Sequence, residues 1–342
     1  MTVLNGCSIW TEKNRPTFIV GPTATGKTAA AIQLALNTKV GRFSEGCGEI
    51  VNADSVQVYR GLDIGAAKPD MEERQGVPFH LLDLVTADQP YTAADWKADA
   101  QEAIEGILRR GGHPIVCGGT GMYVKALLDD WSMAATPADP AVRAELIDDI
   151  AREGSSALHA RLQKVDSETA RRLHPNDAVR IIRAMEVYRL TGKPLSDHQE
   201  EDRNRRRARP ALRIGLNLPR AELYARIDRR VDRMVEQGFV AEVEGLLSKG
   251  FAPGLGALGS LGYKEIGSYL TGSSDFPELS SAIEAIKLNT RRFAKRQQTW
   301  FKADQQIHWI DVVGLPPAEI AVQIHTIART AREEQENMNA AE

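Results

Sequence analysis

"FIVGPTATGKTAAA", residues 18–31, sets three apolar residues before a glycine-flanked loop and an alanine-rich run after it. Gly21, Pro22, Thr23, Ala24, Thr25, Gly26, Lys27 and Thr28 follow the Gly-x4-Gly-Lys-Thr spacing of a phosphate-binding loop. The two glycines let successive backbone N–H groups turn inward as an anion nest, and Lys27 adds a full positive charge. A helix starting at the loop directs the positive end of its dipole at the same spot. The Thr28 hydroxyl is the group expected to ligate Mg²⁺. A motif this short recurs by chance, so the strand-like run before it and the helical run after it carry the assignment.

Working outward, strand and helix signals alternate. "TFIV" reads as a buried strand, "TAAAIQLALN" as a helix, "EIVNAD" as a second strand, "FHLLDLV" as a third and "HPIVCGG" as a fourth. "TAADWKADAQEAIEGILRR" reads as an amphipathic helix, capped by Thr92 and stopped at Gly111-Gly112. This alternation predicts an α/β fold, a P-loop NTPase-like core with a parallel sheet covered on both faces. From Ala141 to about Ser196 only helical segments appear, among them "AVRAELIDDIAREG", "SALHARLQKV" and "DAVRIIRAMEVYRLTG". "LRIGLNL" then resumes a strand. "RAELYARIDRRVDRMVEQG" and "AIEAIKLNTRRFAKRQQTWF" read as helices, and "QIHWIDV" as a last strand. The expected organisation is a core of residues 1–134 and 212–342, interrupted by a helical insertion domain at 135–211.

With 342 residues, 42% hydrophobic and 26% charged, the composition is that of an ordinary globular chain. No apolar run approaches the roughly 20 residues of a membrane span, and no signal pattern opens the sequence, so a cytoplasmic protein is expected. Cys7, Cys47 and Cys117 lack CxxC spacing, which excludes a cysteine-built zinc site. His80, Asp83, His174 and His198 are read as structural. The net charge of −3 hides an asymmetry. Residues 203–220, "RNRRRARPALRIGLNLPR", contain no acid, and neither do residues 287–302, "KLNTRRFAKRQQTWFK". The second run interleaves Phe293, Trp300 and Phe301, so the pair favours a polyanion partner over a merely solvated surface. The tail "AREEQENMNAAE" reads as a solvated helix end.

Asp54 and Ser55 lie just past the second expected strand, and Gly118, Gly119 and Thr120 just past the fourth. In an open parallel sheet those strand ends share one crevice with the phosphate loop. An anion cradle, a carboxylate and a glycine-flanked hydroxyl are thereby expected together. Asp54 taken alone fits a helix cap, a magnesium ligand or a general base.

The blocks "GPTATGKT", "DSVQVYRGLDIGAAKP", "GGTGMYVKALL", "NDAVRIIRAMEVYRLTGKPLS" and "KRQQTWF" occur in this order between about Phe18 and Asp311. As an ordered set they resemble the tRNA dimethylallyltransferase (tRNA isopentenyltransferase) family, in its shorter bacterial form without a zinc module. The resemblance implies transfer of a dimethylallyl group from dimethylallyl pyrophosphate to N6 of the adenosine 3′ of the anticodon, in tRNAs reading codons that begin with U. It makes Asp54 the general base and sets Thr120 at the acceptor end of the channel. Thr23 and Arg226, with the rest of the loop, would contact the pyrophosphate, and Mg²⁺ is the implied cofactor. The chemistry agrees, because ionising the allylic carbon–oxygen bond loads negative charge on the departing pyrophosphate. N–H donors, a lysine and a metal ion stabilise that charge.

The same resemblance carries tRNA contacts onto this chain. They are Asp54, Ser55, Val56 and Gln57 beside Thr120; Arg143; and Val179, Arg180, Ile181, Ile182 and Arg183. Ser260, Leu261, Gly262, Tyr263, Lys264 and Glu265 follow, then Lys295, Arg296, Gln297, Gln298, Thr299, Trp300, Phe301 and Lys302. Two departures stand out: Val179 where the family usually has Gln, and Gly259-Ser260 where it commonly has a basic residue. Val cannot hydrogen-bond a base edge. Arg180 and Arg183, three apart on a helix, share a side and can clamp phosphates. Flipping the target adenine out of its stack is part of the expected mechanism.

The expected partners are the anticodon stem-loop of tRNA and dimethylallyl pyrophosphate, with no membrane and a monomeric chain. A relative acting on free adenine nucleotides shares the core, but it needs neither the insertion nor "KRQQTWF". A P-loop kinase would consume ATP, bound at the same loop, and a nucleotide-switched RNA-binding module would make no covalent product. No convincing second nucleotide signature supports the kinase.

Overall fold

The computed structural model describes residues 10–37, 47–132, 138–205, 207–254 and 256–341, with side chains described up to residue 334. Cys7 and the expected join at 134/135 lie outside those residues. Among the described residues, six strands form one parallel sheet in the order β3-β2-β4-β1-β5-β6. They are β1 Thr17–Val20, β2 Gly48–Asn52, β3 Phe79–His80, β4 His113–Cys117, β5 Leu212–Asn217 and β6 His308–Asp311. β1 lies at the centre, with Ile19 opposite both Cys117 of β4 and Ile214 of β5. All four β1 residues are buried, as a parallel strand covered on both faces requires.

The chain divides by its contacts into two units, residues 1–127 with 209–342, and residues 128–208. The first contains the sheet together with α1 Lys27–Asn37, α2 Ala93–Arg109 and most of α3 Gly121–Leu128. It also holds α9 Arg220–Glu236, α10 Phe239–Ser248, α11 Tyr263–Leu270, α12 Leu279–Lys302 and α13 Pro317–Ala341. Ala30, Ala31 and Leu34 of α1 and Ile320, Ala321 and Ile324 of α13 share one apolar core with β1, β4 and β5. The α2 start is the expected one: Thr92 Oγ1 accepts the Asp95 N–H at 3.2 Å, and the Asp95 carboxylate accepts the Thr92 N–H at 2.8 Å.

The second unit is helical: α4 Pro140–Glu153, α5 Ser155–Val165, α6 Ser167–Arg172, α7 Ala178–Thr191 and α8 Leu195–Arg205. Leu146, Leu158, Leu162, Ile181 and Ala184 form its core. α8, "LSDHQEEDRNR", has no apolar stripe, which is why its helix is not legible in the pattern.

Two expectations are corrected. The third strand is two residues rather than "FHLLDLV", because Leu81 (φ 64°) and Asp83 (φ 57°) are left-handed and break the extension. Leu84 and Val85 instead donate to the Val58 carbonyl. The acid-free run at 203–220 is not one cationic surface. Arg213, 7% exposed inside β5, pairs with Asp304 at 2.8 Å, and Arg209 lies 5.0 Å over the Trp10 ring.

Among the described residues no helix is long and apolar enough to cross a membrane. The four polar residues read as structural have local partners. His80 bonds Glu49, Asp83 pairs with Lys68, His174 accepts the Asn176 N–H, and His198 bonds Thr191.

Candidate active site

The loop at 21–28 leaves the end of β1 with Gly21 at φ 134°, and a Cβ there would lie 2.6 Å from the Leu216 carbonyl oxygen of β5. Only glycine satisfies both the dihedral and the approach. Ala24 (φ 65°) and Gly26 (φ 88°) supply the further left-handed turns of the nest. Thr25 is buried and donates to the Pro22 carbonyl at 2.9 Å, so it holds the loop from inside. The Lys27 Nζ donates to the same carbonyl at 2.7 Å. Burial pulls the Lys27 ammonium down to about 8, Arg230 adds to that effect, and Cys117 and Asp54 oppose it. The Thr28 hydroxyl bonds the Cys117 thiol, which burial raises to about 11.

Asp54 follows β2. Its Oδ1 accepts the Val56 N–H at 2.8 Å and the Gln57 N–H at 3.4 Å, a turn closed by its own side chain. Among the described residues no hydrogen bond engages its other carboxylate oxygen. Thr120 fixes this turn from the end of β4: its Oγ1 accepts the Ser55 N–H at 3.0 Å, and its N–H donates to the Ala53 carbonyl at 3.1 Å. Asp54 thus closes a turn rather than capping a helix, and leaves one carboxylate oxygen without a hydrogen bond among the described residues.

A cleft of about 750 Å³ opens beside the loop. Lys27, Thr28, Lys68, Arg230 and Arg233 line it together with Asp63, Asp70 and Glu73. Arg226 is not in the lining. Its guanidinium bonds Glu222 at 2.7 Å, one turn back on α9. Arg230, one turn on, faces the cleft instead. Burial lowers its pKa, while the charges of Asp54 and Glu73 hold it up and Arg233 opposes them. The spacing "RIDRR" puts Arg226 and Arg230 on one face of α9 one turn apart, and of the two it is Arg230 that reaches the cleft while Arg226 bonds Glu222.

The expected RNA contacts separate by exposure. Lys295, Arg296, Thr299, Trp300 and Lys302 are exposed on α12, whereas Gln297 and Phe301 are buried. Trp300 lies against Gly121, where a Cβ would come within 2.3 Å of the indole. Gln298 donates to Asn217 at 2.9 Å. Lys264 is exposed, Ser260 and Leu261 are partly buried, and Gly262, Tyr263 and Glu265 are buried.

The Tyr263 hydroxyl donates to Glu242 at 2.7 Å and accepts the Ala66 N–H at 3.2 Å. Glu265 accepts the Gly262 N–H at 2.8 Å and an Asn289 N–H at 2.9 Å. The buried side chains of this block serve the fold, and Lys264 is the one that reaches outward. Glu242 also accepts the Asp63, Ile64 and Gly65 N–H groups, which shapes the wall of the cleft.

On α7, Val179 is 79% exposed and Ile181 fully buried, with Ile182 between. Arg180 pairs with the helix cap Asp177 at 3.1 Å. Arg183 and Arg143 share the buried Glu186 at 2.7 and 2.9 Å.

A family model described as IPP transferase matches residues 57–304, and one described as isopentenyl transferase matches residues 15–97. The tRNA dimethylallyltransferase of Geobacter sulfurreducens is 48% identical over 302 residues, which is 88% of this chain and 93% of that protein. The crystal structure of the full-length tRNA isopentenylpyrophosphate transferase of Bacillus halodurans matches with a TM-score of 0.68 at 36% identity. That match covers 96% of this chain and 99% of the other. A eukaryotic dimethylallyltransferase acting on tRNA matches with a TM-score of 0.69 at 30% identity, over 86% of this chain and 73% of that one.

Proposed function

The chain belongs to the IPP transferase family, and on that premise we propose that it transfers a dimethylallyl group from dimethylallyl pyrophosphate to tRNA. The acceptor is N6 of the adenosine 3′ of the anticodon in tRNAs reading codons that begin with U. What supports the reading is one meeting of groups at the sheet edge: a built anion loop, and a carboxylate with one oxygen uncommitted.

In the step, the bond from the allylic carbon to the ester oxygen on the α-phosphorus breaks, and its electron pair leaves with the pyrophosphate. The N6 lone pair forms the new carbon–nitrogen bond, and Asp54 takes the N6 proton. The loop N–H groups with Lys27 and Arg230 hold the leaving group. Thr120 acts by fixing the turn that aims Asp54.

Mg²⁺ fits the residues present. The Thr28 hydroxyl lines the cleft and, donating to the Cys117 thiol, keeps its oxygen lone pairs, and magnesium takes few protein ligands when pyrophosphate oxygens complete its shell. It would neutralise charge on the leaving group. The RNA is gripped by the exposed cations and Trp300 of α12, with Arg143, Arg180 and Arg183 of the helical unit adding phosphate contacts. The chain acts as a monomer.

The test is mass spectrometry of nucleosides from unmodified tRNA incubated with the chain, dimethylallyl pyrophosphate and Mg²⁺. One adenosine per susceptible tRNA should gain one isoprenoid unit. ATP-dependent phosphorylation, or RNA binding without a covalent product, would replace the reading by a kinase or a binding module.

A further inference from the structure

Gln297 stands on α12 among residues that face outward, yet its own side chain is 6% exposed. Its Oε1 accepts the Thr23 N–H at 2.8 Å, and its Nε2 donates to the Gly119 carbonyl at 2.9 Å. One amide thus spans the phosphate loop and the loop that carries Thr120. The approach is tight, since a Cβ at Gly119 would lie 2.2 Å from Nε2. From Gly119 the connection continues: the Thr120 hydroxyl holds the Ser55 N–H beside Asp54. Primary amides are the side chains that offer an acceptor and a donor side by side without charge. Breaking such a buried bridge leaves an N–H and a C=O unpaired.

We propose that Gln297 is a positioning residue for the transfer, setting the separation between the pyrophosphate cradle and the turn that aims Asp54. It is therefore not an RNA contact, although it sits within the block expected to be one. This rests on the reading of the site under Proposed function. A displacement of about 1 Å between reacting groups costs on the order of 100-fold in rate, so a bridge that fixes their spacing acts on turnover.

Two variants test it. Gln297→Met keeps the length and removes both bonds; kcat should fall roughly 10- to 100-fold. Its Kd for an anticodon stem-loop, read by fluorescence anisotropy, should stay within about twofold of wild type. Gln297→Glu keeps the acceptor but turns an anion toward the Gly119 carbonyl. Protonation restores the missing donor, and burial raises the carboxyl's pKa. The ratio of its kcat to wild type should therefore rise at least about fivefold between pH 8 and pH 5.5.

Calorimetry with magnesium pyrophosphate needs no turnover, and should show binding to Gln297→Met weakened by at least about fivefold. If the wild-type chain transfers no prenyl group, the proposed function fails, and this calorimetric shift still decides the bridge. Unchanged kcat and pyrophosphate affinity in Gln297→Met would overturn the proposal. So would a stem-loop Kd that rises in step with the loss of kcat/KM, or a flat pH ratio for Gln297→Glu.

Discussion

Two helices carry most of the cations that the sequence assigns to RNA, and they differ in what stands beside those cations. On α7 each arginine has a carboxylate: Arg180 has Asp177, while Arg183 shares Glu186 with Arg143. Together these five groups keep one net positive charge. On the last turns of α12, Lys295, Arg296 and Lys302 have no carboxylate partner among the described residues, and Arg296 lies 5.7 Å over the Phe293 ring. A guanidinium held by a buried carboxylate is oriented but partly spent, whereas an unpaired one displaces a condensed counterion from an RNA phosphate at full effect. The sequence distinguishes the two poorly, because both helices read as arginine-rich.

The largest effect expected lies outside both helices and isolates chemistry from binding. Asp54→Asn keeps the shape of the turn and removes the proton acceptor, so kcat should fall about 10²- to 10⁴-fold while stem-loop binding survives. A variant near the wild-type rate with saturating substrates would show that Asp54 is not the base.

Arg230→Ala should raise the KM for dimethylallyl pyrophosphate about 10- to 100-fold, the worth of a charge-assisted bond, with Arg226→Ala within about threefold of wild type. The reverse order in steady-state kinetics would mean that α9 turns its other arginine inward when the donor is bound.

Combined replacement of Lys295, Arg296 and Lys302 by Ala should make the slope of log affinity against log salt shallower by roughly one unit per cation. The same measurement on Arg180→Ala with Arg183→Ala should show less than about one unit in total, because Asp177 and Glu186 already neutralise part of that charge. Equal slopes per residue would erase the contrast between the helices.

The smallest effect is a pH limb. Burial pulls the Lys27 ammonium down to about 8, and only its ammonium form attracts the donor, so kcat/KM for the pyrophosphate should decline as pH rises above about 8. Lys27→Ala should lack that limb. A profile flat to pH 9.5 in wild type would contradict the lowered pKa.

What was legible in the sequence was local. The loop and its flanking strand and helix are set by contiguous residues, as is the Thr92 cap, and each is formed where its residue types require it. What was not legible depends on distant packing. Leu81 ends β3 in a left-handed turn that an apolar run does not announce. Arg226 and Arg230 are equivalent on paper, yet the first bonds Glu222 one turn back and the second lines the cleft. Arg213 finds Asp304 across 91 residues, so an acid-free run in sequence is not an acid-free surface. The adjacent Gln297 and Gln298 look alike, yet the first bridges two site loops and the second bonds Asn217 of β5.

The central claim is that the donor loop serves a polyanionic acceptor whose remote contacts on α12 support the reaction. The most direct measurement is kcat/KM with labelled dimethylallyl pyrophosphate for an anticodon stem-loop bearing adenosine 3′ of the anticodon, side by side with AMP. AMP gains the pocket contacts but none of the remote ones, so its value should be lower by orders of magnitude, and only the stem-loop reaction should fall steeply with salt. Comparable kcat/KM for the two acceptors would contradict the account and assign the chain to free nucleotides.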